Sequence, residues 1–191
     1  MTPDHSLSWT PMASPCSPTI AAELRRLGGA THHMARLGII SDTHGLLRQE
    51  ALVFLRDCER IIHGGDVGNA DVLDRLSAIA PVTAVRGNND KGVWADALPE
   101  TELFEFHGTY IYVIHDLSQI DIEPSAAGVR VVVSGHSHKP AIERRDGVVY
   151  VNPGSAGPRR FRLPVAVAEL FVIGGEVSAR IVEFDVSGVA K

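Results

Sequence analysis

Short apolar runs alternate with amphipathic stretches along the first half of the chain. Apolar runs at 37–41, 60–62 and 82–85 predict buried strands, and the segments near 46–57 and 72–79 carry apolar residues at helical spacing. This order of elements predicts a largely parallel sheet with right-handed crossovers.

The second half instead pairs its apolar runs around tight turns. Hairpins are predicted at His107-Gly108, Asp146-Gly147 and Gly174-Gly175, with His107 serving only as a turn residue. Between the first two hairpins, the pattern predicts a short helix around 118–127 and a strand at 131–133. The chain is therefore expected to form an α/β fold with hairpins added to it.

Residues 1–34 lack this periodicity. Four prolines among Ser and Thr predict a disordered extension containing at most a brief helix at 20–27, so the folded domain is predicted to span 35–191, with Met34 as its natural start. No apolar run is long enough to span a bilayer, and no membrane partner is expected.

Composition narrows the range of partners and compartments. A net charge of -5 and a sequence pI near 6.0 argue against a stable nucleic-acid partner, because such proteins usually carry a basic excess. The two cysteines, Cys16 and Cys58, form neither a metal-type spacing nor a disulfide framework. We therefore expect a cytoplasmic protein.

Polar residues with ligand chemistry follow five of the predicted strands. If Asp42-x-His44 stood alone, Asp42 would be interpreted as a helix cap and His44 as a surface histidine. In open α/β sheets, however, ligands bind at the carboxyl ends of the strands, which is where these residues are predicted to lie. The residues so placed are Asp42, His44, Asp66, Asn88, His115, His136 and His138.

These seven residues suffice for two metal ions if one carboxylate bridges them. Imidazole, carboxylate and amide donors without thiolate suit Mn, Fe, Co, Ni or Zn, whereas four histidines make Ca or Mg a poor match. Two divalent transition-metal ions are thus the expected cofactors, with Mn favoured.

The same residues resemble the motifs of the calcineurin-like metallophosphoesterases, over about residues 36 to 160. Small size and Asn152-Pro153-Gly154-Ser155 look like the compact YfcE-type phosphodiesterases of bacteria and archaea. The resemblance implies a four-layer α/β/β/α sandwich of two mixed β-sheets flanked by helices. It also implies that Asp66 bridges the ions, and it divides the other ligands into Asp42, His44 and His138 for one ion and Asn88, His115 and His136 for the other.

Such a site has a definite chemistry. Two divalent ions, two carboxylates and a bridging hydroxide leave about one positive charge, which attracts an anionic phosphodiester. Ions held close together lower the pKa of water and clamp phosphoryl oxygens, so in-line attack by metal-bound hydroxide is expected.

Four other residues near these motifs are candidates for supporting roles. Many relatives place a proton-donating histidine directly after the Gly-Asn pair, but here the residue is Asn89, which we count with Asp66 as catalytic and with Asn88 as substrate-binding. Asp116 either orients His115 or caps the following helix. Arg160, together with Arg159, is a candidate for contact with a substrate phosphate or is simply solvated.

The motif Asn152-Pro153-Gly154-Ser155 either closes the far side of the site or forms only a turn.

The favoured function is a dinuclear phosphodiesterase of small substrates. The alternatives are a metallophosphoesterase-fold interaction scaffold like the retromer subunit of this shape, or a nuclease, which the acidic balance disfavours. Exposed hairpin edges leave a homo-oligomer open.

Overall fold

The computed structural model describes residues 34–160 and 162–186. The predicted disordered extension and the brief helix at 20–27 lie outside these residues, so the domain boundary stays a prediction. Among the described residues, no helix has the length and apolar character needed to cross a membrane.

The first of two sheets contains the parallel strands of the β-α-β region. Its strand order is β10-β9-β1-β2-β3; β1, β2 and β3 run parallel, and β9 is antiparallel to both β1 and β10. The strands are β1 (Ala35–Ile40), β2 (Arg60–His63), β3 (Val82–Ala84), β9 (Val165–Ile173) and β10 (Glu176–Phe184). The predicted C-terminal hairpin therefore exists and completes this sheet beside β1.

The second sheet contains the other two hairpins. Its order is β4-β5-β6-β8-β7, with a parallel centre of β5, β6 and β8 and an antiparallel strand at each edge. The strands are β4 (Thr101–Phe106), β5 (Thr109–Ile114), β6 (Val131–Val133), β7 (Ala141–Arg145) and β8 (Val148–Asn152). His107 lies in the β4–β5 turn with a left-handed φ of 48°, as predicted for a turn residue.

The helices cover the outer face of the first sheet. They are α1 (Gln49–Leu55), α2 (Ala70–Ser77) and α3 (Val93–Asp96). The Asn69 side chain caps α2 by accepting a hydrogen bond from the Val72 amide at 3.2 Å. Leu55 and Leu76 are buried against Ile40 and Ile61 of the sheet. The pattern predicts α1 and α2 but not the four-residue α3.

The main core lies between the two sheets. Alternate residues of facing strands, including Leu37, Ile39, Ile111 and Val133, are fully buried there. Because side chains alternate across a strand, the same strands send their other residues outward to the covering layers. Both sheets are mixed, as predicted for the metallophosphoesterase sandwich.

The predicted helix at 118–127 is wrong. A 3₁₀ turn covers only Leu117–Gln119, and the chain then makes turns over 124–128. Pro124 has no amide hydrogen and disfavours the helical conformation of the residue before it, so a helix cannot run through this position undisturbed. The segment still covers the second sheet, because Ile120 and Ile122 pack against a buried cluster on its outer face.

Candidate metal centre

The seven residues that the sequence predicts as ligands lie together at the carboxyl ends of strands from both sheets. Loops after β1, β2 and β3 carry four of them, and loops after β5 and β6 carry three. Parallel strands present their carboxyl ends at one edge, which explains why residues far apart in sequence meet. The first group comprises Asp42, His44, Asp66 and Asn88, and the second His115, His136 and His138.

One cluster of donor atoms is formed by Asp42, His44 and His138, whose candidate ligand atoms all lie within 4.8 Å of one another. The His138 Nε2 lies 3.2 Å from the Asp42 Oδ1 and 3.4 Å from the His44 Nε2. Asp42 and His138 are buried, and His44 is half-buried. The cluster therefore opens towards solvent on the His44 side.

A second cluster is formed by Asp42, Asp66 and His115, again within 4.8 Å. The Asn88 Oδ1 adjoins it, at 3.1 Å from both the His115 Nε2 and the His136 Nδ1. This cluster therefore gathers the other predicted ligands.

Asp66 lies between the two clusters. Its Oδ2 is 3.9 Å from the His44 Nε2, and its Oδ1 is 3.6 Å from the His115 Nε2. Asp66 is a member of the second cluster whose Oδ2 faces the first, and Asp42 is the member that the two clusters share. Two carboxylates thus stand between two sets of imidazoles.

The ring of His115 has a defined tautomer. Its Nδ1 lies 2.8 Å from the carbonyl oxygen of Gly64, which can only accept a hydrogen bond, so Nδ1 carries a proton. In the neutral ring, the form that binds metal, Nε2 then presents a lone pair. That lone pair faces the Asn88 Oδ1 at 3.1 Å, which is also an acceptor. Two acceptors directed at each other are satisfied by a cation between them.

Unsatisfied buried atoms support the same interpretation. The Asp42 Oδ2 accepts hydrogen bonds from Ser41 Oγ at 2.7 Å and from the His136 amide at 3.2 Å, whereas the buried Oδ1 makes no hydrogen bond even to His138 Nε2, which lies 3.2 Å away. A buried unpaired carboxylate oxygen is costly unless a cation compensates it. The nitrogen and oxygen donors fit a divalent transition metal.

The backbone at the centre is unusual. Five of the seven residues, none of them glycine, have a left-handed φ between 46° and 65°. Such a conformation costs an L-residue about 1–2 kcal/mol and concentrates where function requires a particular orientation. The five are Asp42, His44, Asp66, His136 and His138.

Gly87 permits the close approach of two site loops. A Cβ atom at this position would lie 2.1 Å from the Asp66 amide nitrogen, which is backbone and cannot move aside easily. The loop carrying Asn88 can therefore approach Asp66 only with glycine at position 87.

Asp90 is a residue that sequence reasoning missed. Its side chain is buried, and its carboxylate accepts hydrogen bonds from the amides of Val67 at 3.1 Å, Gly68 at 2.8 Å and Gly87 at 2.9 Å. It therefore ties the loop after β2 to the loop after β3. Its position two residues after Asn88 is the only signal in the sequence that could have indicated it.

The segment Asn152-Pro153-Gly154-Ser155 forms a turn, one of the two roles left open by the sequence, and is bonded to two loops of the site. The Asn152 Oδ1 accepts a hydrogen bond from the Gly154 amide at 2.9 Å, which makes a local turn, while Asn152 Nδ2 donates to the carbonyl of Gly135 at 2.6 Å. Ser155 Oγ donates to the carbonyl of Asp42 at 2.9 Å. The turn thus supports the loops that carry Asp42 and His136.

Asn89 and Arg160, the other predicted site residues, also lie at the centre. Asn89 donates to Asp66 twice, from Nδ2 to Oδ2 at 2.6 Å and from the backbone amide to Oδ1 at 2.8 Å. The Arg160 Nη2 lies 3.3 Å from the His44 Nε2. The neighbouring Arg159 is exposed.

Asp116 acts as a cap. It begins the 3₁₀ turn at Leu117–Gln119, and its Oδ1 accepts hydrogen bonds from the Ser118 amide at 2.9 Å and from Ser118 Oγ at 2.8 Å. The imidazole nearest to its carboxylate is His136, at 3.9 Å from Nε2 to Oδ2. Of the two roles considered for Asp116, the structure therefore supports the cap.

Burial and neighbouring charges shift the pKa values in the centre. Burial lowers the pKa of His44. The nearby Asp66 carboxylate raises this pKa, but burial has the larger effect, so the neutral imidazole is favoured. Burial by itself would raise the pKa of Asp66, but His115 and the two Asn89 groups together bring it well below its usual range. Burial lowers the pKa of His115, but Asp66 and the Gly64 carbonyl raise it more. Asp66 is therefore an anion at neutral pH.

The buried His63 lies beneath the centre and does not join it. Its Nδ1 accepts a hydrogen bond from the Gly65 amide at 3.2 Å, so Nε2 carries the proton and donates to Thr43 Oγ1 at 3.0 Å. Burial lowers the pKa of His63 to about 4. It is a neutral structural residue that connects the loops after β1 and β2.

The fold and this constellation define a class of metal-dependent phosphoesterases. Residues 35–172 match the model of the calcineurin-like phosphoesterase superfamily domain. The chain belongs to this family.

Sequence relatives agree with the assignment. A probable metallophosphoesterase of Methanothermobacter thermautotrophicus is 34% identical over 158 residues, covering 76% of this chain and 91% of the relative. A phosphodiesterase of Methanocaldococcus jannaschii is 28% identical over 137 residues, covering 62% of this chain and 82% of the relative.

Among solved structures, vacuolar protein sorting 29 from Cryptosporidium parvum has a similar fold. It aligns with a TM-score of 0.65 at 16% identity, covering 79% of this chain and 98% of that protein. At this identity the similarity concerns the fold alone.

Proposed function

We propose that the protein is a phosphodiesterase that uses two divalent transition-metal ions to hydrolyse small phosphodiesters. The observation that carries the proposal is the pair of overlapping donor clusters, with Asp66 placed between His44 and His115. Asp42, His44 and His138 would hold one ion, and Asn88, His115 and His136 the other. Asp66 would contact both.

The bound ions would supply Lewis-acid activation of the phosphoryl group and of the attacking water. The chain's own residues prepare the site for this chemistry. Asp42 and Asp66 provide the negative charge that holds the cations, and the neutral imidazoles leave the loaded centre with a net positive charge that attracts a phosphodiester. We expect Mn to support activity best.

Three polar side chains are proposed to position the substrate. Asn88 and Asn89 offer amide groups beside Asp66, and Asn89 donates to its Oδ2 at 2.6 Å. Arg160 is exposed next to His44, where its guanidinium can donate to a phosphoryl oxygen. Together they would orient the phosphodiester over the centre.

Substitution of Asp66 tests the dinuclear proposal. Asp66→Ala should abolish hydrolysis of bis-p-nitrophenyl phosphate and lower the bound metal more than Asn88→Ala does, because Asn88 adjoins only one cluster. Metal content by elemental analysis and kcat/KM should be measured on each Mn-reconstituted variant. Glu183→Gln, at an exposed position on β10, provides the control. Wild-type turnover by Asp66→Ala would contradict the proposal.

The alternative is a scaffold that binds protein partners and has lost catalysis. Its support is the fold similarity to vacuolar protein sorting 29. A scaffold has no need of a full set of donors, so the seven clustered residues favour the enzyme. Metal-loaded protein that leaves every tested phosphodiester intact would favour the scaffold instead.

We propose a cytoplasmic location on the basis of cysteine usage alone.

A further inference from the structure

A cavity of about 550 Å³ adjoins the candidate metal centre. Asn88, His115 and His136 form the wall that it shares with the centre. A phosphodiester bound to the centre must place its two alcohol groups in the space around it. This cavity is large enough for one of them.

The outer wall of this cavity is acidic. Four carboxylates line it against two cations; the residues are Asp90, Glu100, Asp116 and Asp121, with Arg86 and Lys91. Arg86 is already neutralised, because its guanidinium lies 2.6 Å from Glu100 and 3.5 Å from Asp96. Asp121 is exposed and has no ion pair among the described residues. Asp90 is buried and its carboxylate is bonded to three backbone amides, so it does not face the cavity as a free charge. With Arg86 and Glu100 neutralising each other, Asp116 and Asp121 against Lys91 leave the wall with about one net negative charge, beside a centre that would be positive.

A second cavity of about 300 Å³ lies on the other side of His136 and Asp116, which line both cavities. Its charges balance: Lys139 and Arg145 face Glu143 and Asp116, and Arg145 forms an ion pair with Glu143. The two cavities thus offer electrostatically different environments to the two arms of a diester.

We propose that the larger cavity binds an alcohol arm that carries a protonated primary amine, and that it discriminates against an arm carrying a second anion. This inference rests on the proposed function. Carboxylates, together with the Gln119 amide and the Thr101 hydroxyl, can accept hydrogen bonds from an ammonium group. Among the described residues that line this cavity none is Phe, Tyr or Trp, the side chains whose ring faces recognise quaternary ammonium groups.

Three esters that share one leaving group test the proposal. They are 3-aminopropyl, butyl and 3-carboxypropyl p-nitrophenyl phosphate, and kcat/KM should fall in that order with Mn-loaded protein. An exposed ion pair supports a preference of about two- to fivefold for the amine over the isosteric butyl ester. Asp121→Asn should reduce this ratio towards one. Glu100→Gln, which leaves Asp96 as the ion-pair partner of Arg86, should reduce it as well.

Glu143→Gln is the matched control, because Glu143 lines only the smaller cavity. It should leave the amine-to-butyl ratio unchanged. Equal kcat/KM for the amine and butyl esters, or a ratio that responds to Glu143 and not to Asp121, would overturn the assignment. If the loaded protein hydrolyses neither these esters nor bis-p-nitrophenyl phosphate, the proposed function itself fails.

Discussion

At the scale of the residue, Asn89 occupies the position next to the candidate bridging carboxylate. Its side-chain amide donates to the Asp66 Oδ2 and its backbone amide to the Oδ1. An amide has no proton that titrates near neutral pH, whereas a positioned general acid contributes about 10²–10⁴-fold to a step that needs one. Departure of the leaving group therefore has no evident side-chain acid at this position.

We predict that the rate depends steeply on the leaving group. Hydrolysis should fall sharply from p-nitrophenyl to alkyl phosphodiesters, because nitrophenolate leaves without protonation and an alkoxide does not. Asn89→His should flatten this dependence by raising kcat/KM for the alkyl esters. The measurement is kcat/KM over a series of diesters of graded leaving-group pKa, for both proteins.

Asn89→Gln serves as the control, since it keeps an amide and supplies no acid. It should retain the steep dependence of the original protein. A shallow dependence in the unsubstituted protein would mean that another group donates the proton, and our interpretation of Asn89 would be wrong.

At the scale of the element, a buried carboxylate joins three neighbouring strands of the first sheet. Glu169 of β9 is 1% exposed, and it accepts hydrogen bonds from Arg36 of β1 and Arg180 of β10, both at 2.7 Å. A buried charge is tolerated only when it is paired in this way. The cluster therefore fixes the C-terminal hairpin to the strand that carries Asp42 and His44 at its end.

Glu169→Ala is expected to destabilise the fold. Removing one partner of a buried pair costs about 3–5 kcal/mol, but both arginines can still reach water, so we expect about 2–3 kcal/mol. Urea unfolding monitored by circular dichroism would measure the free energy of unfolding. Glu183→Ala, at an exposed position on β10, should change it by less than about 0.5 kcal/mol. Equal effects of the two substitutions would contradict a special role for Glu169.

The elements also show how far local pattern determines this fold. Local spacing and turn residues predicted four single strands, the three hairpins and two of the helices, because these signals are local. Local pattern failed at 118–127, where apolar spacing resembles a helix but Pro124 interrupts it. It also gave no sheet assignment for the C-terminal hairpin, since pairing with β1 depends on contacts far apart in sequence.

The same division holds for the site. Strand-end placement predicted which seven residues meet, but the support from Asp90 depends on amides in two loops and has no periodic signal. The acidic cavity was likewise invisible in the sequence, because its lining comes from the β3–β4 connection, from β4 and β5, and from the loops after β5 and β6.

At the scale of the whole molecule, the candidate centre joins the two sheets. Asp42, His44, Asp66 and Asn88 follow strands of the first sheet, and His115, His136 and His138 follow strands of the second. Within each donor cluster, at least one ligand atom comes from each sheet. A bound ion would therefore add a connection between loops of the two sheets, which already meet where the His136 amide donates to Asp42 and His115 Nδ1 donates to the Gly64 carbonyl.

Metal should consequently stabilise the folded protein as a unit. A ligand present at a hundred times its Kd and bound only to the folded state adds about 2.7 kcal/mol, which corresponds to about 5–10 °C in Tm for a domain of this size. We expect Mn to raise the Tm of chelator-treated protein by this order, measured by differential scanning calorimetry. In His138→Ala, which removes a second-sheet donor from one cluster, the Mn-dependent rise should shrink, whereas in Glu183→Gln it should remain. An identical Tm with and without Mn would show that the clustered side chains hold no stabilising ion, and the dinuclear proposal would then fail on structural as well as catalytic grounds.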